Sequence, residues 1–552
     1  MIKPIITAED AAQMIESGDT LVIGGSGAGH AIPEKLIEAL GNRFQATLQP
    51  QSLTVVHISG MGDQGTKGLG HLADARLIKR DIGGHWGMSP PMAKLAIENK
   101  IEAYNLPQGA LSCLMRCIAG GTPGYVTHVG LHTFADPRIE GGKLNSLTQE
   151  DLVEVVKLRG QEYLLYHSFP VNAAFIRGTT ADTTGNISME DEVAYFEMLS
   201  IAQAAKNSGG TVIAQVKRIV DKGQINPRLV KIPGIFVDAL VIDPAQKQTY
   251  QIDYDPTLCG EQQDGSLSME NLPFDERKVI VKRAALELYP NAVVNLGFGM
   301  PFGVGQIAEE SGVADQITLS IEQGSLGGIP AGGLDSGAMY YPAAILDQPY
   351  QFDSYQGSGI DIAFLSHAQV DQHGNVNVSK FGNRIPGCGG FIDISQNAKK
   401  VVFCGTLSVK PKLEIQDGTI KVLKEGTAAK FVNLVEQITF SGKYASETKQ
   451  EVLFITERAV FQLIDGNVVL KETAPGIDIE NDILGAMEFK PLIQQVSKMD
   501  KKVFTNIKGT VSSKVPLLPP LKPNQPNHKI NVPRAAKGRL LPLNFCTELF
   551  FL

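Results

Sequence analysis

One pattern occurs twice in this chain, and it restricts the fold more than any other feature. Gly18-Asp19-Thr20-Leu21-Val22-Ile23 runs into the loop GGSGAGHAIP and then into EKLIEAL. Far downstream, Asn291-Ala292-Val293-Val294-Asn295-Leu296 runs into GFGMPFG and then VGQIAEE. Each copy is an apolar strand, a glycine loop with a proline, and an amphipathic helix. Further strand-like runs follow (LTVVHIS, VNAAFIRG and ALVID, then DIAFLS, VVFCGT and VLFIT), separated by helical patterns such as AYFEMLSIAQAAKN and ERKVIVKRAALELY. Strands alternating with helices predict an α/β architecture with mostly parallel sheets, built as two similar halves. The halves are placed at 1–252 and 274–507, joined by a polar linker at 253–273 and followed by a tail at 508–552. The tail is proline-rich, with seven Lys/Arg and one Glu, and is expected to be poorly ordered and to have no catalytic role.

Length and charge narrow the functions. A chain of 552 residues holds roughly three to four domain-sized units. A formal net charge of −8 disfavours nucleic acid or an anionic membrane as the main partner. The first nineteen residues carry early acids and no apolar core, so they do not read as a secretory signal. No apolar run approaches the ~20 residues of a membrane span. Six cysteines are scattered along the chain without a second Cys/His pair at zinc-like spacing, so they read as free thiols in a cytoplasmic protein without a metal.

Chemistry concentrates around Glu322. Ile317-Thr318-Leu319-Ser320-Ile321-Glu322 alternates apolar and polar residues, which predicts a half-buried strand ending at the carboxylate. Open α/β sheets bind ligands at such strand ends. Five glycines lie in the next eleven residues, where a ligand can approach bare backbone. Taken alone, Glu322 reads first as a structural carboxylate capping a glycine turn. Two other segments offer oxyanion donors: Asn105-Leu106-Pro107-Gln108-Gly109, and Gly387-Cys388-Gly389-Gly390-Phe391-Ile392-Asp393. The loop Gly297-Phe298-Gly299-Met300-Pro301 opens a helix and could hold phosphate on its amides, or simply turn the chain. Its distance to Glu322 imitates a dinucleotide site, but the loop misses G-x-G-x-x-G by one residue, as does the N-terminal loop.

The chain resembles the family I CoA-transferases over residues 1–507, and within them the bacterial short-chain acetate/propionate enzymes. The resemblance rests on GGHWGMSP (83–90), NLPQG (105–109), FADPR (134–138), GGKLN (141–145), EDEVAYF (190–196), IEQGSLGGIPAGG (321–333), DQHGNV (371–376) and GCGGFIDIS (387–395), in that order. It implies two similar α/β domains, with Glu322 as nucleophile and Gln108 and Gly390 as oxyanion donors. It also implies CoA contacts at Gly297, Phe298, Gly299, Met300, Pro301 and Gly389. CoA would be a substrate and no cofactor would be needed. The partners would be acyl-CoA, short-chain carboxylates and further copies of the chain, up to a tetramer. Two positions depart from many relatives: the N-terminal loop lacks the phenylalanine that follows the paired glycines, and Gln323 stands where other branches carry asparagine. Competing expectations are a 3-ketoacid CoA-transferase, an acyl-CoA hydrolase, a non-catalytic CoA or sugar-phosphate binder, and an NAD-dependent oxidoreductase.

Overall fold

Two sheets, one in each half of the chain, organise the structure. It is a computed structural model that describes residues 2–263 and 272–506. The tail predicted at 508–552 and residues 264–271 of the predicted linker lie outside the described residues.

The first sheet uses β1 (Thr20–Ile23), β2 (Leu53–His57), β3 (Ile78–Gly83), β4 (Glu102–Asn105), β5 (Ala173–Asp182), β6 (Thr211–Val220) and β7 (Ala239–Ile242). Their order is β7-β6-β5-β1-β2-β3-β4, and every one of these neighbours is parallel. Both faces are covered, and β1 shows how. Leu21 and Ile23 pack with Leu36, Ile37 and Leu40 of one helix, whereas Val22 enters a different cluster with Leu111, Leu114 and Ile201. A strand buried on both sides reads as a continuous apolar run, which is why TLVI and VNAAFIRG carry little alternation.

The second sheet has a parallel centre: β8 (Val293–Leu296), β9 (Thr318–Ser320), β10 (Ile362–Ser366), β11 (Lys400–Cys404) and β12 (Glu451–Ile455), in the order β9-β8-β10-β11-β12. Antiparallel strands flank this centre, and Leu492–Lys498 forms one outer edge, parallel to its neighbour. Ser325–Leu326 and Ala344–Ile345 extend one side, and Ala459–Ile464 and Asn467–Thr473 the other. The duplicated units β1 and β8 each sit where their sheet changes direction of winding. Such switch points are where open α/β sheets form ligand crevices.

Two boundaries differ from the sequence reading. The helix expected from Ala194 starts at Met198. The strand expected over 317–322 is confined to 318–320, and its alternation is not a simple inside–outside pattern. Ser320 is fully buried because the Tyr355 hydroxyl donates to its Oγ at 3.0 Å and the Asn295 amide donates to its carbonyl at 3.2 Å. A polar residue at an outward position was therefore taken into the core by a partner from a distant helix. The halves meet along the helix Gln108–Ala119, where Cys113 joins the core of the second half and Arg116 pairs with Asp353 at 2.7 Å. Among the described residues, no helix is long and apolar enough to cross a membrane, and no group of three or more His, Cys, Asp or Glu could hold a metal.

Candidate active site

The site is assembled from three of the sequence segments singled out above. Glu322 lies two residues beyond β9, on a turn closed by the Gly324 amide donating to the Ile321 carbonyl at 3.2 Å. Gly324 holds φ at +118°, and a Cβ there would fall 2.1 Å from the Leu346 carbonyl oxygen, so only glycine completes this turn. The turn aims a half-buried carboxylate away from its own strand and toward the first half of the molecule.

The segment Gly387–Gly390 meets it there, gripped by the first half. Trp86 and Gly87 amides donate to the Pro386 carbonyl at 2.7 and 2.9 Å. The Asn105 side chain accepts from Cys388 N at 2.9 Å and donates to the carbonyls of Gly83 and Gly84 at 2.9 and 2.7 Å. Gly389 N donates to Gly84 O at 2.7 Å, and Gln108 N to Gly389 O at 3.0 Å. Gly390 is so close to the carboxylate that a Cβ on it would stand 2.0 Å from Glu322 Oε2.

Gln108 is the first residue of its helix and is buried. Its Nε2 completes no hydrogen bond, yet it lies near enough to Glu322 to favour the ionised carboxylate, as do the Gly390 amide and the Gln323 side chain. The Gln323 Nε2 donates to Glu322 Oε1 at 3.4 Å. Burial outweighs these donors and pushes Glu322 from its ordinary 4.5 up to about 7.

Asp393 belongs to the same cluster, and the sequence reading did not single it out. It is fully buried in the first turn of the helix Phe391–Asn397 and accepts from Gly109 N at 3.0 Å and from Gln356 Nε2 at 3.2 Å. It therefore caps the helix that carries Gln108 from the helix that follows Gly390, locking both donors to one frame. Burial pushes its carboxyl up to about 8, against the lowering effect of the Gly109 amide and with a further rise from Glu322. Replacing Asp393 with alanine should cost about 1–3 kcal/mol of stability by orphaning the Gly109 amide, read from urea unfolding, and should lower activity through the loosened Gln108.

The other predicted residues fall in two places. Gly389 stands in the Glu322 cluster, where a Cβ on it would be 3.6 Å from Gln108 Oε1 and 3.7 Å from the His85 ring. Burial pushes His85 down to about 4, so this neighbour is neutral at physiological pH. The loop Gly297–Pro301 lies at the switch point between β8 and β10 instead. There Gly297 N donates to Phe364 O at 2.8 Å and Ser366 Oγ to Phe298 O at 3.2 Å. The Phe298 side chain is 73% exposed at this crevice, an apolar ring offered to a ligand. A cavity of about 270 Å³ opens between this loop and the segment after Glu322, lined by Leu296, Phe302, Leu319, Pro330 and Tyr341 among others.

A carboxylate facing amide donors brought from both halves suits covalent acyl chemistry. Known proteins of this build agree. The family model described as coenzyme A transferase matches residues 5–243. The chain is 43% identical over 510 residues to an acetate CoA-transferase of Escherichia coli K12, YdiF, covering 91% of this chain and 95% of that one. It is likewise 43% identical over 509 residues to a caffeate CoA-transferase of Acetobacterium woodii, covering 91% and 97%. A crystal structure of the E. coli O157:H7 acyl-CoA transferase YdiF as a thioester complex with CoA superposes with a TM-score of 0.88 at 42% identity, covering 93% and 98%. Identity on this scale, sustained over nine tenths of both chains and carried by the same fold, makes this chain a member of the CoA-transferase family.

Proposed function

We propose that the protein moves CoA between a short-chain acyl-CoA and a free carboxylate of the acetate class, with Glu322 as the nucleophile. The observation that carries this reading is the Glu322 carboxylate standing directly against Gly390, beside the unspent amide of Gln108. The acetate CoA-transferase relative supports the substrate class.

An ionised carboxylate needs no general base. Glu322 Oε attacks the thioester carbonyl, the C–S bond breaks, and CoA leaves as thiolate, with an acyl-glutamyl anhydride behind it. The thiolate then attacks the glutamyl carbonyl carbon, the anhydride C–O bond breaks, and the first carboxylate departs from a glutamyl-CoA thioester. An incoming carboxylate reverses the two steps on a new acyl group. No net proton is consumed. Each attack creates a tetrahedral oxyanion, and the donors suited to it are Gln108 Nε2 and Gly390 N, which are held in place before reaction. Exposed Phe298 and the amides of Phe298–Met300 are suited to CoA itself, and the neighbouring cavity to its thin pantetheine arm.

The pH dependence follows from the nucleophile. Because the free enzyme holds Glu322 at about 7, the rate of CoA capture from a limiting acyl-CoA should rise tenfold per pH unit well below 7 and level off above it. Rapid-quench measurement of the CoA adduct between pH 5.5 and 8.5 reads this directly. A profile that is flat down to pH 5.5 would mean an unperturbed carboxyl.

The reading places the enzyme in the cytoplasm, in keeping with five free cysteines among the described residues, and as a homo-oligomer, up to a tetramer, as the family resemblance implies. Light scattering on the purified chain tests the assembly. Assaying acetate, propanoate, butanoate, 3-oxobutanoate and a cinnamate as acceptors, with thiol release followed in parallel, separates acetate-type transfer from 3-ketoacid transfer and from hydrolysis.

A further inference from the structure

His57 ends β2 and lies in one row with Gly83 of β3 and Asn105 of β4, the last residues of three neighbouring strands. Its buried ring crosses to β3, where Nε2 stands 3.2 Å from Asp81 Oδ1. Asp81 and Gly83 are two residues apart and face the same way on their strand. The ring therefore passes over Gly83, and a Cβ there would collide with His57 Cε1 and Nε2. On its other side, Nδ1 stands 2.8 Å from the Ser59 carbonyl, an acceptor, so Nδ1 carries a hydrogen. The contact with Asp81 is an ion pair rather than an aligned hydrogen bond. Neither oxygen of that fully buried carboxylate has a hydrogen-bond donor, so His57 is its only compensating group among the described residues. Burial pulls His57 down, but the Asp81 charge and the Ser59 carbonyl outweigh it and hold the ring above its ordinary value. The nearby His85 faces the His57 charge, which adds to burial in keeping His85 neutral.

This row is where the first half grips the donor segment. Gly84 N donates to His57 O at 3.2 Å. The Gly83 and Gly84 carbonyls accept from the Asn105 amide, and Gly84 O also accepts from Gly389 N. Asn105 in turn accepts from Cys388 N. Trp86, whose amide donates to Pro386 O, packs edge-on to the His57 ring with centroids 6.1 Å apart. The bonds that fix Pro386, Cys388 and Gly389 thus start from residues seated on or beside the ion pair. Apolar side chains of similar volume often stabilise a core as well as a buried ion pair does. What the pair supplies here is direction, because it holds the ring from both ends against Gly83.

We propose that His57 and Asp81 are positioning residues for CoA transfer, a buried ion pair that fixes Gly83 and Gly84 and through them sets the Gly390 amide against Glu322. The inference rests on the CoA-transfer reading. Both residues act through Gly389 and Gly390 and touch no reacting atom. A misplacement of about an ångström in such a donor can cost about 10²-fold in rate.

The test follows the CoA adduct of the full chain by rapid quench with acetyl-CoA between pH 5.5 and 8.5, with the folded fraction read by circular dichroism. In His57→Leu and Asp81→Ala the adduct rate per folded molecule should fall about 10- to 100-fold. The midpoint of the pH profile should also move up from about 7, because the Gly390 amide that favours ionised Glu322 is displaced. Affinity for free CoA should stay within about threefold of native, since the loop suited to CoA lies on the second sheet. A pair that only stabilises the fold would lower the melting temperature and leave the rate per folded molecule and the midpoint unchanged, and that result overturns the proposal. A slower rate with an unmoved midpoint overturns it as well, since the loss then does not come through Gly390. If either truncation fails to fold, Asp81→Asn and His57→Gln, which are closer in volume, are read in the same way. Intact mass of the native enzyme with propanoyl-CoA separates the two levels: an adduct with unchanged variants sinks only this inference, whereas no adduct sinks the transfer reading beneath it.

Discussion

Replacing Glu322 with alanine is expected to abolish CoA transfer, by at least about 10⁴-fold, because the variant has no atom on which the anhydride can form. Incubated with acyl-CoA, the native chain should gain the mass of CoA less one water at Glu322, and the variant should gain nothing. Transfer that survived in the variant would exclude the covalent route. Glu322→Asp should also be poor, since one missing methylene retracts the oxygen from a site whose partners are fixed. The same carboxylate costs stability. Its value is raised from 4.5 to about 7 in the folded state, so its favourable contribution is complete below 4.5 and is lost as pH rises through 7. Glu322→Gln should thus unfold at higher urea than the native chain at pH 8, by about 1–3 kcal/mol, with the advantage gone at pH 4. An inactive variant that is also more stable separates a nucleophile from a structural turn cap, whose loss would destabilise.

Gly390→Ala carries the second large effect. The backbone at Gly390 has φ −82°, an ordinary value for alanine, so no strain arises there. The added Cβ would instead lie 2.0 Å from Glu322 Oε2 and 2.8 Å from its Cδ. These atoms end a flexible side chain, which can swing aside at little cost to the fold. The nucleophile cannot be in both places. We therefore expect thermal stability within a few degrees of native and kcat lower by about 10²–10³, the penalty for moving a reacting atom by about an ångström. Near-native turnover would show that Glu322 reacts from a position other than the one seen.

Much of this site was legible in the sequence because its parts are local. A carboxylate after an alternating strand, followed by glycines, marks Glu322, and the junctions NLPQG and GCGG mark donors at helix starts. Asp393 escaped notice for the opposite reason. It sits in FIDIS, which reads as a short amphipathic segment, and its meaning lies in the Gly109 amide, 284 residues earlier in the chain. His57 was similarly read only as part of the strand-like run LTVVHIS. No local pattern announces that its ring crosses to a carboxylate on the next strand. The NAD-like spacing between Gly303 and Glu322 misled for a related reason, since residue counts do not say which way a side chain turns. Gly324 turns Glu322 off its own strand toward the first half.

Strand and helix identity, the duplication, and the glycine loops at the ends of β1 and β8 follow from short-range periodicity, which acts over a few residues and is written in the chain. The pairing of halves is different in kind. It depends on buried hydrogen bonds such as those from Cys388 N to the Asn105 side chain and from Gly389 N to the Gly84 carbonyl, the first made between residues 283 apart in the chain. Those bonds set the distance from Glu322 to Gly390 and the burial that raises the Glu322 pKa. Both arise from what surrounds a residue after folding, so only the tertiary structure decided them.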